Sequence, residues 1–163
     1  MNKKIITIVL VVLGFAGLVW WGRISQLKEI IPESGSASML TASENSYDFG
    51  EISMKKGLVD YTFKITNRTE KEIEIKKVYT SCMCTAAYLE NDKIKKGPFG
   101  MEGMGYIPPA NEILESGETV NVKVVYDPNA HGPAGVGAID RFVHLVDSVG
   151  GDLQLEIKAV VTP

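Results

Sequence analysis

Cys82 and Cys84 are the only thiols in this 163-residue chain, and they stand two residues apart. On an extended strand, residues i and i+2 share a face, so both sulfurs would point the same way. Three chemistries are open to such a pair. Two reduced cysteines can pack half-buried as small hydrophobes. They can close a Cys82–Cys84 disulfide, although same-face Cα atoms of a fully extended strand lie about 6.5–7 Å apart, at the limit for a bridge. A turn or local strain would then be needed, and a bridge of that kind is easily reduced, which suits a redox role. The third chemistry is a soft-metal site, and it rests on the neighbours. Met83 sits between the cysteines, and Met101 and Met104 lie in the glycine-rich stretch 97–105. Thiolate and thioether, joined by imidazole, form the ligand set that Cu(I) takes in preference to harder ions. His131, in the loop Asp127–Pro133, is the imidazole candidate. The candidate metal ligands are therefore Cys82, Cys84, Met101, Met104 and His131. Zinc is disfavoured, because a closed site asks for four Cys or His ligands and the chain has two of each.

Blander roles stand beside these. Met101 and Met104 could fill gaps at the end of a core, the habitual use of methionine. His131 could be an ordinary loop residue, and His144 alternates with Val143 and Leu145 as a solvent-face strand residue would. Gly100, Gly103 and Gly105 lack the preceding strand and following helix that phosphate binding needs. Neither G-x-S-x-G nor H-E-x-x-H occurs, and no orienting acid can be placed beside a Cys–His pair. No catalytic residue is nominated. Asn67-Arg68-Thr69 fits a glycosylation sequon, but it sits where a turn between strands belongs.

The elements that must position these residues are strands. Val59, Tyr61, Phe63 and Ile65 alternate with polar residues, as do Val120, Val122, Val124 and Tyr126, and Leu153, Leu155, Ile157, Ala159 and Val161. Period-two alternation puts one face on a core and the other in water. Ile73–Thr80 and Ile139–Val146 add two further runs, and turn residues separate them at 67–70, 115–118 and 148–152. With shorter segments near Tyr47 and Ala86, about seven strands are expected in two packed antiparallel sheets.

The N-terminal end differs. Ile5 to Trp21 carries no charge, follows Lys3 and Lys4, and closes on Trp20 and Trp21. At about 1.5 Å rise per residue, such a helix spans roughly 26 Å, near the lower limit for crossing a bilayer. No small-x-small cleavage site directly follows, so an uncleaved anchor is preferred to a signal peptide, with the bulk of the chain outside the cytoplasm. The expected organisation is an anchor over 1–24, a flexible linker over 25–43 and a sandwich over 44–163. Beyond residue 33 the net charge is about −5. Such a domain lacks the basic stripe that nucleic-acid binding requires.

Tyr47-Asp48-Phe49-Gly50, the strand ending in Thr66-Asn67, Ser81-Cys82-Met83-Cys84-Thr85 and the turn Glu115-Ser116-Gly117-Glu118 resemble, in order and spacing, the bacterial family called domain of unknown function 1573. The resemblance runs from about Tyr47 to Val161 and implies an immunoglobulin-like sandwich of the Hydin type, a fold that is usually non-catalytic. Two departures are visible: an insertion over Lys96–Pro109, and Ser116 where the family often has proline. The expectation is therefore a membrane-anchored extracytoplasmic binding or assembly module, not an enzyme, with a Cu(I) site at the C-x-C and the Met101/Met104 loop. It would meet the membrane through its helix and an envelope protein through its domain. The alternatives are a thiol-redox protein using Cys82 and Cys84, or a purely structural interaction module.

Overall fold

The structure, a computed structural model, describes residues 36–163. The expected anchor and most of the expected linker lie outside the described residues. Among the described residues no helix is long and apolar enough to cross a membrane. The strands are β1 (Ser36–Ala37), β2 (Leu40–Ala42), β3 (Ser46–Ser53), β4 (Val59–Asn67), β5 (Ile73–Thr80), β6 (Thr85–Glu90), β7 (Lys95–Phe99), β8 (Glu112–Leu114), β9 (Thr119–Tyr126), β10 (Gly137–Asp147) and β11 (Gly151–Thr162). One sheet of six strands runs β1-β11-β10-β5-β8, with β3 also paired to β11, and a sheet of five runs β2-β4-β9-β6-β7.

The alternation predicts the faces correctly. Phe63, Ile65, Val120, Val122 and Val124 from one sheet, and Leu145, Leu155 and Ile157 from the other, are buried between the layers. Removing such side chains from water supplies about 25 cal/mol per Å² of apolar surface, the main favourable contribution to folding. The strand count and the strand directions differ from expectation. The expected seven antiparallel strands become sheets of six and five, and β1 and β3 run parallel to β11. β11 is long enough that its outer edge takes both short segments end to end, against Gly151–Asp152 and Glu156–Thr162. Ladder pairing therefore begins upstream of residue 44: β1 and β2 are strands, with Leu40 buried in the core.

The stretch 96–109 is also not all loop. Lys95–Phe99 forms the edge strand β7 on β6, and Phe99 is wholly buried opposite Ala87. Gly97, at φ 119°, makes this approach possible. A Cβ there would stand 2.8 Å from the Ala87 carbonyl oxygen, so only glycine fits without a shift.

Candidate functional site

Cys82 and Cys84 lie in the tight turn joining β5 to β6, where the sequence pattern places them on a strand. The turn changes the geometry. The Thr85 amide donates to the Cys82 carbonyl at 3.1 Å, and the Cα atoms of the two cysteines come to 5.3 Å, well inside the range for a bridge. Cys82 and Cys84 are disulfide-bonded. Of the three readings open in the sequence, the structure adopts the second, by means of a turn. Thr80, buried at the end of β5, holds that turn: its hydroxyl donates to the carbonyls of Cys82 and Thr85 at 3.0 and 3.1 Å.

Two further segments are tied to the turn by backbone hydrogen bonds. The Asp127 amide donates to the Cys84 carbonyl at 2.8 Å, which fixes the start of the loop after β9. That loop carries His131, whose Nε2 lies 3.2 Å from Cys82 Sγ. On the other side, the Ser81 amide donates to the Phe142 carbonyl and the Phe142 amide donates to the Ser81 hydroxyl, both at 2.9 Å, docking the turn on β10. Arg141, next in line on β10, donates from Nε to Cys84 Sγ at 3.2 Å. Its Nη1 donates to the Asp140 carbonyl at 2.7 Å, which orients the guanidinium. The two sulfurs differ in surroundings. Cys84 is 3% exposed, while Cys82 is half-buried between exposed Ser81 and exposed Met83.

The candidate ligands separate into two groups. Cys82, Cys84 and His131 come together, with their donor atoms within 4.8 Å of one another. Met101 is half-buried and meets the region through its backbone, in a bridge with Thr80. Met104 is 60% exposed, in the turn that follows. His144 keeps to the strand role expected of it: its Nδ1 lies 2.9 Å from Asp152 Oδ2 and its ring stacks on Tyr79. Asn67 is wholly buried, and its Nδ2 donates to the carbonyls of Lys71 and Leu114, so the side chain builds the turn and no free sequon remains.

Sequence reasoning missed Arg141. It lies mid-strand between Asp140 and Phe142, and only the pairing of β10 with β5 brings it to the C-x-C turn. Its charge is felt nearby. Burial pushes the Tyr126 phenol above its ordinary value, the Arg141 guanidinium pulls it partly back, and Asp127 adds to the rise.

The comparisons agree with this picture at the level of fold and family. Residues 40–101 match the family model described as "Protein of unknown function (DUF1573)". The matched stretch holds β2 to β7, the C-x-C turn and Met101, so the resemblance read in the sequence is shown there. Among solved structures, a protein of unknown function from Porphyromonas gingivalis W83 is 12% identical with a TM-score of 0.54, over 80% of this chain and 51% of that one. A family 123 glycoside hydrolase from Clostridium perfringens is 5% identical with a TM-score of 0.53, over 76% of this chain and 27% of that one. The seventh PapD-like domain of human CEP192 is 11% identical with a TM-score of 0.46, over 82% of this chain and 92% of that one. This chain thus spans about half the length of the first of them. At such identities the likeness is one of fold. No curated protein matches the sequence.

Proposed function

We propose that the sandwich is a thiol–disulfide module of the bacterial cell envelope that cycles Cys82 and Cys84 between a bridge and a dithiol. The observation that carries this reading is the different company of the two sulfurs: His131 beside half-buried Cys82, and Arg141 beside buried Cys84. Cationic and imidazole neighbours favour thiolate, the form that reacts. A purely structural staple is a poorer explanation. Closing so short a loop restricts the unfolded chain by only about 1.5 kcal/mol, against about 3 for a fifteen-residue loop. Disulfides persist in oxidising compartments, which supports a domain held outside the cytoplasm with Ile5–Trp21 as its anchor. The test is to equilibrate the full chain against glutathione buffers, quench, alkylate and weigh it. Two thiols should appear together in one two-electron transition. A pair that stays bridged, or stays reduced, across the whole range of buffers would defeat the reading.

A second reading has its own support in the cluster of Cys82, Cys84 and His131. In the dithiol state these residues offer two thiolates and an imidazole, a donor set suited to Cu(I), with Met101 and Met104 as further arms. The module would then store the ion or pass it to an envelope partner. Anaerobic Cu(I) titration of the reduced chain against a competing chelator tests this. Binding should vanish in Cys82→Ser/Cys84→Ser, and a reduced chain unable to compete would end the copper reading.

A further inference from the structure

We infer that the disulfide has a built-in polarity: an incoming thiolate attacks Cys82, and Cys84 leaves as a thiolate held by Arg141. The inference rests on the thiol–disulfide reading above. It names the partner as a protein or peptide with two neighbouring thiols, and gives Arg141 a positioning role.

Access decides the first half. Thiol–disulfide exchange proceeds by attack on one sulfur while the other departs, and which sulfur is attacked depends on approach and on leaving-group stability. Cys84 is 3% exposed and its sulfur is flanked by Arg141 Nε at 3.2 Å and the Thr85 hydroxyl at 3.7 Å. Cys82 is the half-buried member, on a turn whose neighbours Ser81 and Met83 face solvent. A nucleophile from outside therefore meets Cys82 Sγ first.

Charge decides the second half. When the partner's thiolate bonds to Cys82 Sγ, the Cys82–Cys84 bond breaks and its electron pair goes to Cys84 Sγ. The guanidinium already points an N–H at that sulfur, so the new anion gains a charge-assisted hydrogen bond without rearrangement. The partner's second thiol, as a thiolate, then attacks its own sulfur in the mixed disulfide, and Cys82 departs. The partner loses two electrons and two protons in becoming a disulfide. The Cys82/Cys84 pair gains both electrons; one proton returns to Cys82, whose sulfur faces His131 Nε2, and the other goes to solvent. The exchange thus ends with Cys84 as the thiolate beside Arg141 and half-buried Cys82 as the thiol.

The test uses the full chain with glutathione as the single-thiol probe and dithiothreitol as the dithiol probe. Oxidised glutathione should form an adduct on Cys82 in the Cys84→Ser variant, at least tenfold faster than on Cys84 in the Cys82→Ser variant. In the otherwise native chain, Arg141→Gln should lower the equilibrium constant for reduction by glutathione about tenfold, or about 30 mV, with much of it restored by Arg141→Lys. The adduct rate at Cys82 in the Cys84→Ser background should be unchanged by Arg141→Gln. Thermal melting of each oxidised variant separates misfolding from these effects. Equal adduct rates on the two cysteines would overturn the polarity, and an unmoved equilibrium in folded Arg141→Gln would overturn the role of Arg141. Failure of the wild-type pair to exchange with either probe would instead defeat the thiol–disulfide reading, and the inference with it.

Discussion

Replacing Asn67 by alanine should destabilise the sandwich by about 3 kcal/mol. The side chain ends β4 inside the protein and makes four hydrogen bonds. Its Nδ2 donates to Lys71 O at 2.7 Å and Leu114 O at 2.8 Å, and its Oδ1 accepts from the Thr69 amide at 3.0 Å and the Thr69 hydroxyl at 2.7 Å. The bond to Leu114 is buried, so its carbonyl loses a donor that water does not readily replace, at roughly 1–3 kcal/mol. The other three lie nearer solvent and are worth about 0.5 kcal/mol each once water substitutes. Asn67→Asp keeps the shape but turns a carboxylate toward two carbonyl oxygens. At neutral pH it should cost at least as much as alanine, and its penalty should shrink on acidification as the carboxyl protonates and can donate. Urea unfolding of the oxidised chain, followed by circular dichroism, measures both. A loss below about 1 kcal/mol for Asn67→Ala would refute the argument that this amide organises the β4–β5 turn.

Three more outcomes follow from the same packing. Gly97→Ala should destabilise by about 2 kcal/mol or more in the same urea assay, since the new Cβ would meet the Ala87 carbonyl at 2.8 Å on a backbone at φ 119°. Reducing the disulfide, or replacing both cysteines by serine, should leave the fold intact and lower stability by only about 1.5 kcal/mol, as seen in paired melts with and without reductant. Tyr126 is an acid whose folded-state titration is raised, chiefly by burial. Its contribution is therefore fully present below the unfolded value near pH 10 and is lost as pH rises through the folded one. Tyr126→Phe should make the alkaline limb of a stability–pH curve shallower, and an unchanged limb would contradict this.

Much of the layered fold was legible because its strands are half-buried. In β4, β9 and β11 every second residue faces the interior, and polar or less buried residues fill the intervening places. What alternation does not encode is pairing. β1, at two residues, is too short for periodicity to register, and the residues near Tyr47 announce a strand without announcing that β3 lies parallel to β11. β7 was hidden for a related reason: Lys95–Phe99 contains glycine and proline and reads as loop, yet Phe99 anchors it in the core. The site shows the same division. Cys82 and Cys84 are visible as a spaced pair, and His131 as a loop imidazole. The turn that brings the cysteines within bonding range is set by Thr80, and the cation beside Cys84 arrives from a strand some sixty residues on. Met101 and Met104 stand out by composition; in the structure Met101 makes a backbone bridge and Met104 lies in an exposed turn.

The most direct measurement is the state of the Cys82–Cys84 pair in living cells. Acid quenching, alkylation and mass analysis would be applied to the full chain before and after brief exposure to a membrane-permeant thiol oxidant or a dithiol reductant. A reversible thiol–disulfide module predicts that the pair shifts between bridged and reduced forms under these treatments and returns when they are removed. A pair locked in one state throughout, with the chain still folded, would contradict the account at its centre.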